Sequence, residues 1–391
     1  MNAVIQNPTL QAVRELVPMI EGRACEMEAA KLVSADICVA LEAAGCFTMG
    51  VPSRLGGAEL QPLEISRVLE TLARADASVA WTAMVALGFN FIYSRFAPEV
   101  VDEVRRVSPG LLTRGAVAPQ GRATRVDGGY RVDGKWALGS GSYDHRFVMA
   151  NCVIMDGEAP LQDAAGAPVM KVALLPATAV EFLQTWNSVG LCATNSNDFV
   201  VKSVFVPDAW MVSLSEPDQF GLPLTALDFF MASTPNHASV TLGIAQGTLD
   251  DILKISLTKK PVRSGGRTLA ADPLFAYELG QLNVRLQALR ALLEARLLET
   301  TALTDSGEPV SALDSAKVCA VASYVQHECQ DIANQAFTLG GATVCYLSTS
   351  LQRRWRDIRC AVQHAASSKS RFQAYGNELV TEARARSEAA S

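Results

Sequence analysis

The sequence lacks the features that mark several large classes of protein. Its four histidines form no cluster and its nine cysteines form no CxxC pair, so no metal site is predicted. No stretch supplies the roughly 18 uncharged apolar residues of a membrane span, and residues 1–8 lack the basic region and apolar run of a secretory signal. Apart from residues 353–359, Lys and Arg form no block, which argues against a nucleic-acid surface.

Two nucleotide-binding signatures are also absent. Neither GxGxxG nor GxxxxGK[ST] spacing occurs in the glycine-containing loops at 115–123 and 128–142, so a cofactor bound there is not held as in a Rossmann or P-loop fold. The odd number of scattered cysteines favours reduced, buried thiols in a cytoplasmic protein.

The periodicity of apolar residues divides the 391-residue chain into three parts. Helical spacing covers a domain at 1–110, alternation typical of strands covers 111–215, and helical spacing returns over 216–391. Within the middle part, 146–155 and 170–175 are short runs rich in strand formers. The sequence therefore predicts an α+β protein, mainly α, with a β-barrel-like module between two helical domains.

The C-terminal part predicts a helical bundle. Five leucines recur at steps of three and four (Leu282, Leu286, Leu289, Leu293, Leu297), and Leu279, Leu292 and Leu298 widen the apolar face beyond what one packing partner needs. A helix over 317–339 is expected to end at Gly340 and Gly341. Residues 356–373 are expected to form the last substantial helix.

The stretch at 128–142, GGYRVDGKWALGSGS, combines two turn signals with strand-forming residues and ends in small residues. It resembles the middle domain of the acyl-CoA dehydrogenase superfamily. Further similar segments are 198–207, which resembles the closing strand of that domain, and 340–341 with 351–357, which resemble the C-terminal signature. The resemblance is closest to two-component flavin monooxygenases, the branch that includes oxygenase components of hydroxyphenylacetate hydroxylase, dibenzothiophene monooxygenase and indole monooxygenase.

This resemblance implies a fold, a cofactor and partners. The fold is an N-terminal helical domain, a middle β-barrel domain and a C-terminal four-helix bundle that forms the core of a homotetramer. The activity uses reduced flavin (FADH2 or FMNH2) from a separate NAD(P)H–flavin reductase, and oxygenates an aromatic or heteroaromatic small molecule through a flavin C4a-peroxide. The implied flavin contacts are Pro119, Gly121, Trp136, Ser140, Arg263, Gly340 and Gly341.

Two residues are implied to be catalytic. Ser140 matches a Ser or Thr that approaches flavin N5 in the resembling monooxygenases; the alternative is a turn residue that bonds its own backbone. His364 matches a histidine that lies against flavin and substrate, where a neutral imidazole can orient the substrate or take its proton. The alternative for His364 is a packing residue on the helix that carries Arg356 and Asp357.

Two further residues are candidates for the substrate pocket. Trp81 lies in a segment that lines the substrate side of the flavin in the resembling family. His237 opens the C-terminal helical part and is expected to face the same pocket, or else to be a polar residue at a helix start. Arg263 lies in a glycine-containing loop, and a free surface loop is its alternative to a contact with flavin phosphate.

The segment at 363–366 argues against ordinary acyl-CoA dehydrogenation. Acyl-CoA dehydrogenases commonly carry a catalytic glutamate in a Tyr-Glu-Gly-Thr segment, where this sequence has Gln-His-Ala-Ala. The α-proton of a thioester then has no base at this position. An atypical FAD-dependent acyl-CoA dehydrogenase or oxidase with its base elsewhere remains the alternative enzyme, and an oligomeric scaffold without catalysis is a third hypothesis.

Overall fold

The computed structural model describes residues 7–141, 145–262 and 264–389. Helices form both ends of the chain and strands form the middle. The helices are α1 (Pro8–Ala30), α2 (Ala35–Ala43), α3 (Pro62–Ala75), α4 (Ala77–Tyr93), α5 (Pro98–Val107), α6 (Pro223–Ala226), α7 (Phe229–Thr258), α8 (Pro273–Ser306), α9 (Ala312–Gly340), α10 (Ser350–Ala361) and α11 (Ser370–Ala389). The strands are β1 (Thr113–Val126), β2 (Gly129–Gly139), β3 (Phe147–Asp156), β4 (Ala159–Pro160), β5 (Met170–Pro176), β6 (Glu181–Phe182), β7 (Asn197–Pro207) and β8 (Met211–Val212).

The N-terminal helices begin where side chains can accept hydrogen bonds from free backbone N–H groups. Asn7 accepts from Leu10 N at the start of α1, and Asp76 accepts from Ser78 N and Val79 N at the start of α4. The predicted apolar face of α3 is confirmed, because Ile65, Val68, Leu69 and Leu72 are fully buried.

The strands form one eight-stranded sheet, in which β4 pairs with β3 and the other strands follow the order β6-β7-β2-β1-β3-β5-β8. The pair β1 and β3 is parallel and the remaining pairs are antiparallel. Strands predicted at 146–155 and 170–175 are confirmed as β3 and β5. One face of the sheet packs on the helices, and the other encloses a second apolar cluster with Trp136 at its centre.

The long C-terminal helices complete the fold. The five leucines of the α8 stripe are buried, as their spacing predicts. The prediction of one helix over 356–373 is wrong, since α10 ends at Ala361 and α11 begins only at Ser370. The break lies at His364, whose backbone is extended and whose side chain caps the short 3-10 turn that follows.

The apolar core joins the two helical regions, because α3 packs on α7 and α4 packs on both α7 and α10. No helix in the described part of the chain combines the length and the apolarity that a membrane crossing requires.

Candidate active site

Three of the residues nominated from the sequence meet where α4, α7 and the segment after α10 come together. The rings of His237 and His364 stack with centroids 4.2 Å apart and planes 19° from parallel. The Trp81 ring presents an edge-to-face contact to each imidazole, at 5.4 Å from His237 and 5.8 Å from His364. Residues separated by up to 283 positions in sequence thus form one aromatic cluster, which we call the histidine site.

Hydrogen bonds fix the tautomer of each imidazole. His237 Nδ1 lies 3.0 Å from the Ser233 carbonyl oxygen, which can only accept, so Nδ1 carries the proton and Nε2 carries a lone pair. His364 Nδ1 lies 3.2 Å from the Ala366 backbone N–H, which can only donate, so Nδ1 is the acceptor and Nε2 carries the proton. The histidine site therefore offers one acceptor and one donor side by side.

The surrounding protein lowers the pKa of both imidazoles. Desolvation, followed by the charge on His364, lowers the pKa of His237 well below 6.5, and this side chain is 8% exposed. Surrounding protein also lowers the pKa of His364 to about 4, through desolvation. His364 keeps solvent-exposed surface despite its depth in the fold, and water at that surface reduces the penalty of charging it. His237 is therefore the more strongly neutral member of the pair.

His237 does not begin a helix. It lies two turns inside α7, which starts at Phe229 with Asp228 as its cap, and is held between buried neighbours. The interpretation of His237 as a polar residue at a helix start is wrong, because the cap that opens this helix lies nine residues earlier.

A second group of nominated residues lies at one end of the sheet. The register of β1 against β3 shifts between Ala116 and Gly121, and residues 118–120, which include Pro119, are exposed there. Gln120 Oε1 accepts from Ala137 N at 2.7 Å, which joins this bulge to β2. Ser140 follows directly after β2, and two residues before it Leu138 is 59% exposed at a φ of +61°. We call Pro119, Leu138 and Ser140 the sheet-end site.

Trp136 and Gly121 have a structural reason for their positions. Trp136 has no exposed surface, stacks on Phe199 at 5.2 Å and donates from Nε1 to the Asn151 carbonyl oxygen at 2.7 Å. A Cβ at Gly121 would lie 1.9 Å from the Trp136 ring, so glycine is needed for this close approach. Both residues shape the sheet from inside, and neither Trp136 ring face is free for a ligand.

Gly340 and Gly341 lie in a different part of the chain, at the end of α9. Lys259 Nζ donates to the Gly340 carbonyl oxygen, and Gly341 takes a φ of +53°. A cavity of about 570 Å³ adjoins them, lined by Ile255, Thr258, Lys259, Lys260, Pro261, Val262, Ala342 and Thr343. Arg263, which was nominated with these glycines, lies outside the described residues.

Neither this cavity nor a second one of about 850 Å³, lined by charged side chains of α1, α3, α7 and α8, is lined by the histidine site or by Ser140. The described members of the nominated flavin contacts fall into two groups, one on or next to β1 and β2 and the other at the end of α9.

Helix α10 is tied to both helices that carry the histidine site and to the loop before β7. Arg353 faces Asp76 at the start of α4 (4.0 Å), and Arg354 pairs with Asp251 of α7 (2.9 Å). Asp357 Oδ1 accepts from Leu191 N at 2.7 Å, in the loop before β7. Desolvation, followed by the charge on Asp76, raises the pKa of Asp357 to about 7. Asp357 thus belongs to a buried network, and the half-buried Arg356 beside it pairs with Glu28 of α1.

The sequence interpretation missed two hydroxyls beside Ser140. Ser140 Oγ lies 2.7 Å from Ser196 Oγ, which lies 2.7 Å from Thr194 Oγ1. Small polar residues clustered in 194–196 were visible in the sequence, but the turn that brings them to Ser140 was not.

Comparison with known families agrees with this architecture. The family model "Acyl-CoA dehydrogenase, N-terminal domain" matches residues 7–99, and "Acyl-CoA dehydrogenase, C-terminal domain" matches residues 236–369, together more than half of the chain. The chain belongs to the acyl-CoA dehydrogenase family. The family's two helical domains are therefore the parts that carry the histidine site.

Curated relatives within this family are monooxygenases. Indole-3-acetate monooxygenase of Acinetobacter baumannii is 26% identical over 359 residues, which cover 91% of this chain and 90% of the relative. The flavin-dependent monooxygenase oxygenase subunit HsaA of Rhodococcus jostii is 27% identical over 381 residues, which cover 94% of this chain and 97% of the relative.

Solved structures show the same fold along almost the whole chain. The 3-HSA hydroxylase of Rhodococcus sp. RHA1 has a TM-score of 0.88 at 23% identity and covers 96% of this chain and 97% of its own. XiaF from Streptomyces sp., solved with FADH2, has a TM-score of 0.86 at 22% identity and 95% coverage of both chains. TdsC from Paenibacillus sp. A11-2, solved with FMN and indole, has a TM-score of 0.79 at 18% identity and covers 96% of this chain and 97% of its own.

Proposed function

We propose that this protein is the oxygenase component of a two-component flavin-dependent monooxygenase that acts on an aromatic or heteroaromatic small molecule. The observation that carries the proposal is the histidine site, where an aromatic edge and two neutral imidazoles of opposite hydrogen-bonding character converge. The names of the full-length relatives support it, and they favour oxygenation over the alternative of thioester dehydrogenation.

The residues of the sheet-end site fit an isoalloxazine ring. Pro119 and Leu138 supply exposed apolar surface near Ser140, a buried residue whose hydroxyl is hydrogen-bonded to Ser196. Arg114 lies under the same turn, donates to Gly139 O at 2.9 Å, and has no partner for Nε among the described residues. A bound reduced flavin supplies the electrons with which molecular oxygen is activated. We propose that it is FADH2 or FMNH2, since solved structures of similar proteins hold FADH2 in one case and FMN in another.

The two imidazoles of the histidine site have different roles toward the substrate. His237 Nε2 accepts a hydrogen bond from a ring O–H or N–H and takes up its proton as the ring gains positive character during oxygenation. His364 Nε2–H donates to an oxygen substituent and holds it in register. Trp81 packs against both imidazoles and limits the access of water, which strengthens these hydrogen bonds.

We further propose that the protein works as a homotetramer. The glycines at 340–341 lie at the end of α9, which packs on other helices, whereas the sheet-end site lies on β1 and β2. In the homotetramer, a second copy supplies one of these two groups to the flavin. A separate NAD(P)H–flavin reductase delivers the reduced flavin. The nine cysteines, all among the described residues, form no disulfide, which suits the reducing cytoplasm predicted from the sequence.

Substitution at the histidine site tests the proposal. With reductase, NADH and a panel of phenols and indoles, we expect His237→Ala to lower kcat/KM for product formation by about 100-fold or more, the usual contribution of an acid–base group. Gln363→Ala, at the exposed neighbour of His364, serves as the matched control and should retain wild-type kcat/KM. Equal rates in wild type, His237→Ala and His364→Ala would remove the histidine site from the reaction.

A further inference from the structure

Three buried hydroxyls form a chain that ends at the sheet-end site. Ser140 Oγ and Ser196 Oγ are 2.7 Å apart, and Ser196 Oγ and Thr194 Oγ1 are also 2.7 Å apart. Thr194 Oγ1 lies 2.9 Å from the Leu191 carbonyl oxygen. All three hydroxyl residues are at most 8% exposed, so bulk water does not compete for these hydrogen bonds.

The carbonyl at the far end fixes the direction of every hydrogen bond in the chain. A carbonyl oxygen only accepts, so Thr194 uses its single proton on Leu191 O. Thr194 Oγ1 must then accept from Ser196, and Ser196 Oγ must accept from Ser140. Ser140 therefore donates its only hydroxyl proton to Ser196. Toward a ligand, its Oγ is left with lone pairs and can act only as an acceptor.

This direction distinguishes the two oxidation states of a flavin. Reduced isoalloxazine carries an N–H at N5, whereas oxidised isoalloxazine presents a lone pair there. Given the proposed function, on which this step rests, we infer that Thr194 and Ser196 are positioning residues that hold Ser140 as an acceptor and so make the site select reduced over oxidised flavin. Oxidised flavin would face Ser140 with a lone pair against a lone pair, which leaves a buried polar atom unpaired.

The selectivity suits an oxygenase that takes its flavin from another protein. Such an enzyme has to capture the reduced form from a mixture and release the oxidised form after each turnover. The hydroxyl chain provides this selectivity without a conformational change, because the Ser140 oxygen binds the reduced form and disfavours the oxidised form.

Two substitutions release the Ser140 proton by different routes. In Thr194→Val, Ser196 loses its acceptor and can turn its proton to Ser140, which frees Ser140 to donate outward. In Ser196→Ala, Ser140 loses its acceptor directly. Thr248→Val is the matched control, since Thr248 is equally buried and donates to a backbone carbonyl (Ile244 O, 2.8 Å) in α7, outside the chain of hydroxyls.

The measurement is the ratio of dissociation constants for oxidised and reduced flavin, obtained anaerobically by equilibrium titration with FAD and with FMN, without substrate or turnover. We expect wild type and Thr248→Val to share a ratio that favours reduced flavin. In Thr194→Val and Ser196→Ala the ratio should fall by roughly tenfold, mostly through tighter binding of oxidised flavin. Thermal unfolding of each variant checks that it is folded.

An unchanged ratio in both variants, or an equal change in Thr248→Val, would overturn the inference while the proposed function stands. Failure of wild type to bind either oxidation state would overturn the proposed function, and this inference with it.

Discussion

Two neutral imidazoles stacked 4.2 Å apart keep their complementary hydrogen-bonding roles only while neither is protonated. Protonation of His364 at Nδ1 would break its hydrogen bond from Ala366 N, because both atoms would then be donors. Protonation of His237 at Nε2 would remove the acceptor that faces the substrate. The lowered pKa values of both residues therefore protect the division of roles at ordinary pH.

The buried neutral state of His237 predicts a pH dependence of stability. The folded pKa lies well below the unfolded value of 6.5, so as pH falls below 6.5 the unfolded chain takes up a proton that the folded chain does not. The contribution of neutral His237 to the free energy of unfolding is therefore fully present above this pH range and declines below it. Between pH 7.5 and 5.5, wild type should lose about 1 kcal/mol more of its free energy of unfolding than His237→Gln, as measured by urea titration.

The variant isolates this effect from that of nearby carboxyl groups. Burial raises the pKa of Asp76 and of Asp357, so their contribution has the opposite sign, but it is present in both proteins. Parallel pH profiles for wild type and His237→Gln would show that His237 is not held neutral by the fold.

At the residue scale, the sequence nominated the histidine site without showing its geometry. Trp81 and His364 were marked by resemblance, and His237 by its place in the second helical region. Their convergence depends on packing of α4 against α7, and their tautomers on the positions of Ser233 O and Ala366 N. The sequence pattern shows neither this helix packing nor the positions of these two backbone atoms. The clearest need for Gly121, contact with Trp136, likewise appears only in three dimensions.

Helix α10 connects the two helices of the histidine site with the loop that carries Thr194 and Ser196 of the hydroxyl chain. Its buried side chains reach the start of α4, the middle of α7 and the loop before β7. Gly190 in that loop lies so close to α10 that a Cβ would come within 2.4 Å of the Arg356 carbonyl oxygen. A shift of α10 would therefore disturb the histidine site and the hydroxyl chain together.

Substitution of Asp357 tests this connection. In Asp357→Ala the buried N–H of Leu191 loses its acceptor, and we expect the free energy of unfolding to fall by about 1–3 kcal/mol. Asp357→Asn keeps an oxygen at this position and should lose less. Urea unfolding at pH 7 measures both. Equal losses in the two variants would mean that the Leu191 hydrogen bond does not account for the role of Asp357.

At the element scale, period alone predicted the helix–strand–helix order and the strands β3 and β5. It failed at 356–373, because the residues around His364 have no proline or glycine to mark the end of α10. The helix stops there through a side-chain cap, since His364 Nδ1 satisfies the backbone N–H of Ala366.

The whole molecule presents an apolar stripe that this chain leaves uncovered. On α8, opposite the five buried leucines, Tyr277, Val284, Ala291 and Leu298 recur every seven residues and are all exposed, Val284 by 66%. A repeat of seven places them along one side of the helix, as in helices that pack against a partner helix. We expect this stripe to lie at the interface of the proposed homotetramer.

Sedimentation velocity tests the stripe. Val284→Glu should shift the protein to a smaller species, because a charge buried at the interface is unpaired there. Val39→Glu, on α2 at an exposed position, is the matched control and should sediment as wild type. Unchanged sedimentation of Val284→Glu would place the interface elsewhere.

The fate of molecular oxygen tests the proposed monooxygenase activity most directly. The protein is incubated with reductase, NADH, FAD or FMN, and ¹⁸O₂, together with phenols and indoles, and the products are weighed by mass spectrometry. We expect one ¹⁸O atom in an aromatic product, which forms only when reductase is present and forms about 100-fold more slowly with His237→Ala. Tight binding of oxidised FAD, its bleaching by an acyl-CoA thioester and no ¹⁸O in any product would contradict the proposed monooxygenase activity.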